Sequence, residues 1–112
     1  MATLDDVTEA VRSVVGDRKF VLGAYQTDES PSLPYANVMP AEDYLTRASD
    51  HTWMRRTSVD VMLCTRWWEP EAEGELIRAL DARGVVIRET QSTDYADEGL
   101  HTYEVFTEPI DL

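Results

Sequence analysis

Cysteine and histidine are scarce in this 112-residue chain, which holds Cys64, His51 and His101 and no others of either type. A lone cysteine excludes an intrachain disulfide, and Cys64 lies in the strand-like run Val59-Asp60-Val61-Met62-Leu63-Cys64, where a buried, inert thiol is expected. The histidines form no His-x-x-x-His or His-Glu-x-x-His spacing and there is no Cys-x-x-Cys, so no metal motif is present. Basic residues are few as well, 10 against 22 acidic ones, for a formal charge of −12 and a pI near 4.3. Such a field repels phosphate, which argues against nucleic acid or anionic lipid as a tightly held partner. No apolar run approaches membrane-spanning length. Met1-Ala2-Thr3-Leu4-Asp5-Asp6 lacks the basic and apolar regions of a signal peptide, so a soluble chain made in a cytoplasm is expected. No Gly-rich phosphate fingerprint, internal repeat or low-complexity linker interrupts the chain.

What is present is ordinary for a folded protein: 43% apolar and 29% charged residues. A chain of this length builds one modest core, so residues 1–112 read as a single domain. Leu4, Val7, Val11, Val14 and Val15 form one stripe of a helix over Leu4 to Val15. Thr3 is its cap, Asp5 and Asp6 lie in its first turn, and Gly16 suits its end. Lys19 to Gln26 reads as a strand, and the polar stretch with Pro31 and Pro34 as a loop. Tyr35 to Met39 reads as a short strand. Pro40 then suits the start of a helical turn through Leu45, within a long connection from Ala41 to Thr52.

In an extended run from Trp53 to Trp68, Trp53, Val59, Val61, Leu63 and Trp67 share one face, and Met54, Met62, Cys64 and Trp68 the other. Both faces are apolar near the tryptophans, so this strand is expected to be covered on two sides. Glu69-Pro70-Glu71-Ala72-Glu73 opens a second helix with Ala72, Leu76, Ala79 and Leu80 as its stripe and Gly84 as its stop. Val85 to Thr90 reads as a strand, Ser92 to Gly99 as an acidic turn, and Leu100 to Glu108 as a last strand. The sum is an α+β domain, a mostly antiparallel sheet of four to five strands with two helices on one face.

Chemistry has little to stand on. Cys64 lacks the cationic neighbourhood or helix N-terminus that activates a thiol. Asp94, Asp97 and Glu98 beside Gly99 are oxygen donors for a hard cation, but without the alternating ligands and closing Glu of a calcium loop they read as a solvated turn. The expectation is a protein without catalytic, cofactor or metal residues. Trp67 and Trp68 leave two readings open: the second helix folds back over one and the loop over the other, or they belong to a subunit interface, where Trp is a frequent hot spot.

The order of helix, early strand, Leu33-Pro34-Tyr35 loop, long strand Ser58 to Thr65 and Glu-rich helix Glu69 to Leu80 resembles the tail terminator, tail-completion and minor tail proteins of long-tailed bacteriophages. The ending Tyr95-Ala96-Asp97-Glu98-Gly99-Leu100-His101-Thr102-Tyr103-Glu104-Val105-Phe106, an acidic turn and Gly leading into an aromatic-bearing strand, carries most of that likeness. The resemblance implies a virion protein that forms a hexameric ring at the head-proximal end of the tail tube, ends tube polymerisation and joins tail to head. Its implied partners are further copies of itself, the major tail tube protein and a head-tail connector or stopper. DNA would slide through an acidic lumen without tight binding, and no membrane is involved. The implied location is the virion tail, after assembly in the host cytoplasm. Loops and edges make the ring contacts in that group, which points to Asp28, Glu29 and Leu33, to Tyr44, Leu45 and Arg47, and to Trp53, Trp67 and Trp68. A competing reading is a small acidic binding or inhibitor domain for a basic partner, though the charges run from Asp5 to Asp111 rather than clustering. A small enzyme is a third, with no nucleophile-base pair to support it.

Overall fold

Thr3 starts the first helix through a reciprocal pair of hydrogen bonds. The computed structural model describes residues 2–16, 19–23, 32–48 and 52–112, with the side chains of 46–48 and 52–54 outside that description. Helix α1 runs Leu4–Val15, the expected span. The Asp6 N–H donates to Thr3 Oγ1 at 3.3 Å and the Thr3 N–H donates to Asp6 Oδ2 at 3.0 Å, a capping box that satisfies two otherwise orphaned donors. The bond from the Thr3 backbone holds the Asp6 carboxyl below its ordinary pKa. Val7, Ala10, Val11 and Val15 form the buried face.

Helix α2 spans Pro70–Ala82, with Pro at its start and Glu71 and Glu73 in its first turn, where the helix dipole favours negative charge. Its end is a Schellman motif. The Val85 N–H donates to Leu80 O at 3.0 Å and the Gly84 N–H to Asp81 O at 3.0 Å, while Gly84 adopts φ +76°. That geometry drops Val85 into the core, where it is buried beside Leu80.

Among the described residues six strands form one sheet: β1 Phe20–Leu22, β2 Tyr35–Ala48, β3 Thr52–Thr65, β4 Ile87–Tyr95, β5 Leu100–Thr107 and β6 Ile110–Asp111. Their order is β1-β2-β3-β5-β4. Every pairing is antiparallel except β1 with β2, and β6 continues along β3 past the end of β5. The register places Ala36 opposite Leu63 and Leu63 opposite Tyr103, with Val38, Val61 and Val105 forming the next row. Directly paired residues share a face, so these rows meet α1 and α2 in one core with Val59, Leu76, Leu80 and Ile110. This is the expected α+β architecture, with six strands where four or five were read. The two-residue β6 is too short to register as a strand in the sequence.

Three expectations along the chain change. Pro40 to Leu45 is strand, not a helical turn, and the long connection from Ala41 to Thr52 shrinks to 49–51, because β2 continues to Ala48. Pro40 marks a β-bulge instead: Pro40 pairs with Val59 and Glu42 with Ser58, leaving Ala41 extra. The Glu42 N–H donates to Ser58 Oγ and Thr57 Oγ1 donates to Glu42 O, both at 3.0 Å, which pins the bulge. Second, β4 begins at Ile87 and runs to Tyr95, through half of the presumed turn; only Ala96–Glu98, a 3-10 turn, and Gly99 at φ +62° remain of it. Third, β3 stops at Thr65, before the tryptophans. The strand reading of Lys19 to Gln26 holds for Phe20–Leu22, and 24–26 lie outside the described residues.

Past the bulge, β2 and β3 continue as a two-stranded arm, in which Thr52 to Arg55 pair with β2 alone among the described residues. The extents of the domain, 53 × 29 × 24 Å, reflect it. The sheet face turned away from the helices carries Asn37, Asp60, Met62, Cys64 and Glu104 in register. On that face Cys64 is buried and Asn37, Asp60, Met62 and Glu104 are half-buried. Asp60 Oδ1 and Asn37 Oδ1 are buried there without a hydrogen-bond partner. Burial, with the Glu104 carboxylate adding to it, raises the Asp60 carboxyl from 3.8 to about 6. Burial also pushes the Cys64 thiol up to about 11, which leaves it an unreactive thiol at neutral pH.

Two predictions follow from this packing. Gly84→Ala forces a left-handed conformation on a residue with a Cβ and should lower unfolding stability by about 1–2 kcal/mol. Val61→Ala should cost about 2 kcal/mol or more through the buried methyls it removes. Urea denaturation of both variants, with the exposed Leu45→Ala as a near-neutral control, measures these losses. Asp60 gives a pH dependence. Between pH 6 and 4 the folded chain binds a proton at Asp60 that the unfolded chain does not, so this group favours folding as pH falls through that window and opposes it, ionised, above pH 6. Asp60→Asn should therefore raise the urea midpoint at pH 7.5, with the gain shrinking toward pH 4. A gain that is the same at both pH values would assign the effect to packing.

Candidate assembly surface

Thr65 closes β3 and also shapes the turn that follows it. Its buried Oγ1 donates to the Trp67 carbonyl at 2.6 Å and lies 3.4 Å from the His101 carbonyl. With the Trp67 backbone held there and α2 starting at Pro70, the connection is too short for either indole to fold under the sheet. Trp67 and Trp68 are 68% and 67% exposed. The expectation that adjacent strand positions send the two rings to opposite faces does not apply, since the strand has already ended. Both rings line one open recess of about 400 Å³ together with Arg66, Asp94, Ala96 and Gly99.

His101 lies at its floor. This residue occupies the inward register of β5, opposite Thr65 on one side and Asp94 on the other. Its side chain is 8% exposed. Nε2 is 3.4 Å from Glu73 Oε2 of α2 and Nδ1 is 3.5 Å from Asp94 Oδ1 of β4. These are ion-pair distances without hydrogen-bond geometry, and both ring nitrogens and Glu73 Oε2 are otherwise without a partner. The sequence carried a signal for this cluster. Glu73 falls on the same helical stripe as Leu76 and Leu80, and His101 alternates inward with Tyr103 and Val105, so two polar groups occupy core-facing positions. No group of three or more His, Cys, Asp or Glu side chains is placed to hold a metal among the described residues. Asp94 faces His101 rather than joining Asp97 and Glu98 in an oxygen cage.

The arm holds the second group of candidates. Tyr44 and Leu45 lie exposed on β2, not in a loop. The Tyr44 hydroxyl donates to Glu42, and that bond raises its pKa. Arg55 Nε bonds the Asp43 carboxylate at 3.1 Å across the arm. Arg47 and Trp53 face each other in the arm's register, their side chains outside the described set. Leu33 is half-buried ahead of a cis peptide bond to Pro34, and Asp28 and Glu29 lie outside the described residues. A further recess of about 510 Å³ opens at the base of the arm between Leu4, Leu22, Val38, Pro40 and Leu112.

The candidates thus form two surfaces, not one. From Thr52 to Thr65, β3 extends roughly 43 Å at about 3.3 Å per residue, with the arm at one end and the tryptophan turn beyond the other. One is a ribbon whose outer edges are unpaired among the described residues, the other an aromatic platform over an acidic, histidine-floored recess. Neither brings a nucleophile and a base together. Among the described residues no helix is long and apolar enough to cross a membrane.

No family model and no curated protein matches the chain. Among solved structures, the fold is similar to that of a chain in the virion of a native gene transfer agent particle. The TM-score is 0.51 and the identity 12%, over 95% of this chain and 92% of that one.

Proposed function

We propose that this chain is a structural virion protein of a long-tailed, phage-like particle, a tail terminator that forms a ring at the head-proximal end of the tail tube, ends tube polymerisation and joins the tail to the head. The observation that carries the reading is the shared fold, nearly end to end on both chains, with a component of a gene transfer agent virion. The order of elements resembles that of tail terminator proteins, which supports the finer assignment. The protein acts by assembly and not by catalysis. Its partners are copies of itself in a hexamer, the major tail tube protein and a head-tail connector or stopper. It resides in the virion tail after assembly in the host cytoplasm.

The two separated surfaces favour this reading physically. A ring closes through heterologous contacts, in which each subunit offers one patch to the neighbour ahead and a different one to the neighbour behind. An arm and an aromatic platform at opposite ends of one strand are such a pair. Exposed tryptophans are costly to leave in water and are typical anchors of interface cores. The net charge of −12 makes association depend on salt, and it keeps phosphate from sticking to a lumen built from such subunits.

Light scattering over a range of protein and salt concentrations tests the ring. The expected result is a mass near six chains, reached more readily as salt screens the repulsion. Trp67→Ala with Trp68→Ala should shift the mass toward the monomer while the unfolding free energy changes by less than about 1 kcal/mol, since both side chains are exposed. A strict monomer under every condition would overturn the ring and favour the acidic binding domain.

A further inference from the structure

The recess beneath Trp67 and Trp68 has the chemistry of a cation site. Its walls are two exposed indoles, and aromatic faces attract guanidinium and ammonium groups. Its floor presents Asp94 and the His101 ring, with Glu73 directly behind. The segments that frame it, 66–73 and 94–98, contain Glu69, Glu71, Glu73, Asp94, Asp97 and Glu98 against a single basic residue, Arg66. His101 is a second, independent pointer. More than nine-tenths of its side chain is buried, it lines the recess, and neither ring nitrogen has a hydrogen bond. Buried polar groups are normally satisfied, so a cluster left short of hydrogen bonds is completed when a donor enters. Among the described residues the cation over an aromatic ring is Arg12, 5.4 Å from the Phe20 centroid, and neither tryptophan of the turn carries one.

At the other end of β3 the balance is less acidic, and arginines are present. The arm from Asp43 to Thr57 contains Arg47, Arg55 and Arg56 against Asp43 and Asp50, with Arg56 paired to Asp111 at 3.3 Å at its base, so it carries three of the ten basic residues on a chain with 22 acidic ones. Arg55 is exposed, and its ion pair with Asp43 is of the surface kind that exchanges at little cost. We propose that the tryptophan recess receives an arginine from the arm of a second copy of this chain. The guanidinium lies against the indoles and donates to Asp94 and the acidic cluster behind it. Arginine suits the site better than lysine because its planar, multi-donor head both stacks on an aromatic face and bonds carboxylates. The inference rests on the assembly reading for the second copy, and it names the contact that joins one subunit to the next.

Sedimentation velocity on three forms tests it: the native chain, a pocket variant with Trp67→Ala and Trp68→Ala, and an arm variant with Arg47→Gln and Arg55→Gln. Both variants should associate roughly tenfold or more weakly than the native chain, as expected on losing interface anchors. An equimolar mixture should recover a dimer and stop there, because only one intact arm can meet one intact recess. An arm variant that assembles like the native chain, or a mixture that does not pair, would overturn the contact while leaving a ring built on other surfaces. If the native chain itself stays monomeric, the ring fails and the recess is read separately by NMR with the peptide acetyl-Gly-Arg-Gly-amide. The Trp67 and Trp68 indole N–H signals should move saturably with it and not with the citrulline analogue, and Asp94→Asn should weaken the effect severalfold. Equal shifts with both peptides, or none, would overturn the inference.

Discussion

Every other part of the sheet takes its register from β3. Along one face its Val59, Val61 and Leu63 meet β2 and β5 in rows, and those rows define the plane on which α1 and α2 rest. Its length exceeds what the helices cover, so one end projects as the arm. Its termination at Thr65 decides where the tryptophans go. A slip of one residue would turn Asp60 and Met62 into the core and Val61 out of it, which is why the alternation must hold so strictly through this strand.

The two ends of that strand are solved differently. At the arm end, Thr52 to Arg55 pair with β2 and Arg55 bonds Asp43 across the two strands, and a two-stranded ribbon of that kind is marginal in water. The bulge at Pro40 and its bonds to Thr57 and Ser58 fix the arm where it leaves the body. At the other end the backbone is held by a single buried hydroxyl, and the side chains, rather than the backbone, are left exposed.

The parts legible in the sequence are those where local signals agree with the final packing. Thr3, the valine stripe and Gly16 all specify α1, and Pro70, the leucines and Gly84 do the same for α2. Val59, Val61 and Leu63 fix the inward face of β3. Pro40 was misread because proline is equally at home at a helix start and in a β-bulge, and Ala41-Glu42-Asp43 has helical propensity of its own. Only pairing with β3, a contact distant in sequence, decides between them. The tryptophan pair was found as a candidate, but its geometry was not, since adjacency was read as strand alternation. Asp94 reads from the sequence as part of a solvated turn and His101 as a histidine without a motif, because each is unremarkable alone, and the sheet register together with the packing of α2 is what gathers them with Glu73.

The charge of the chain follows the same division. Spread over the sequence, 22 acidic residues suggest only solubility. Placed on the fold, they concentrate around α2 and the turn after β4, while the arm collects three of the ten basic residues. In the contact proposed above, the field that opposes random association leaves an arm facing a recess as the favoured orientation. Net repulsion and specific attachment are compatible because they act at different distances: the first is screened beyond about 10 Å at ordinary salt, and the second operates in contact.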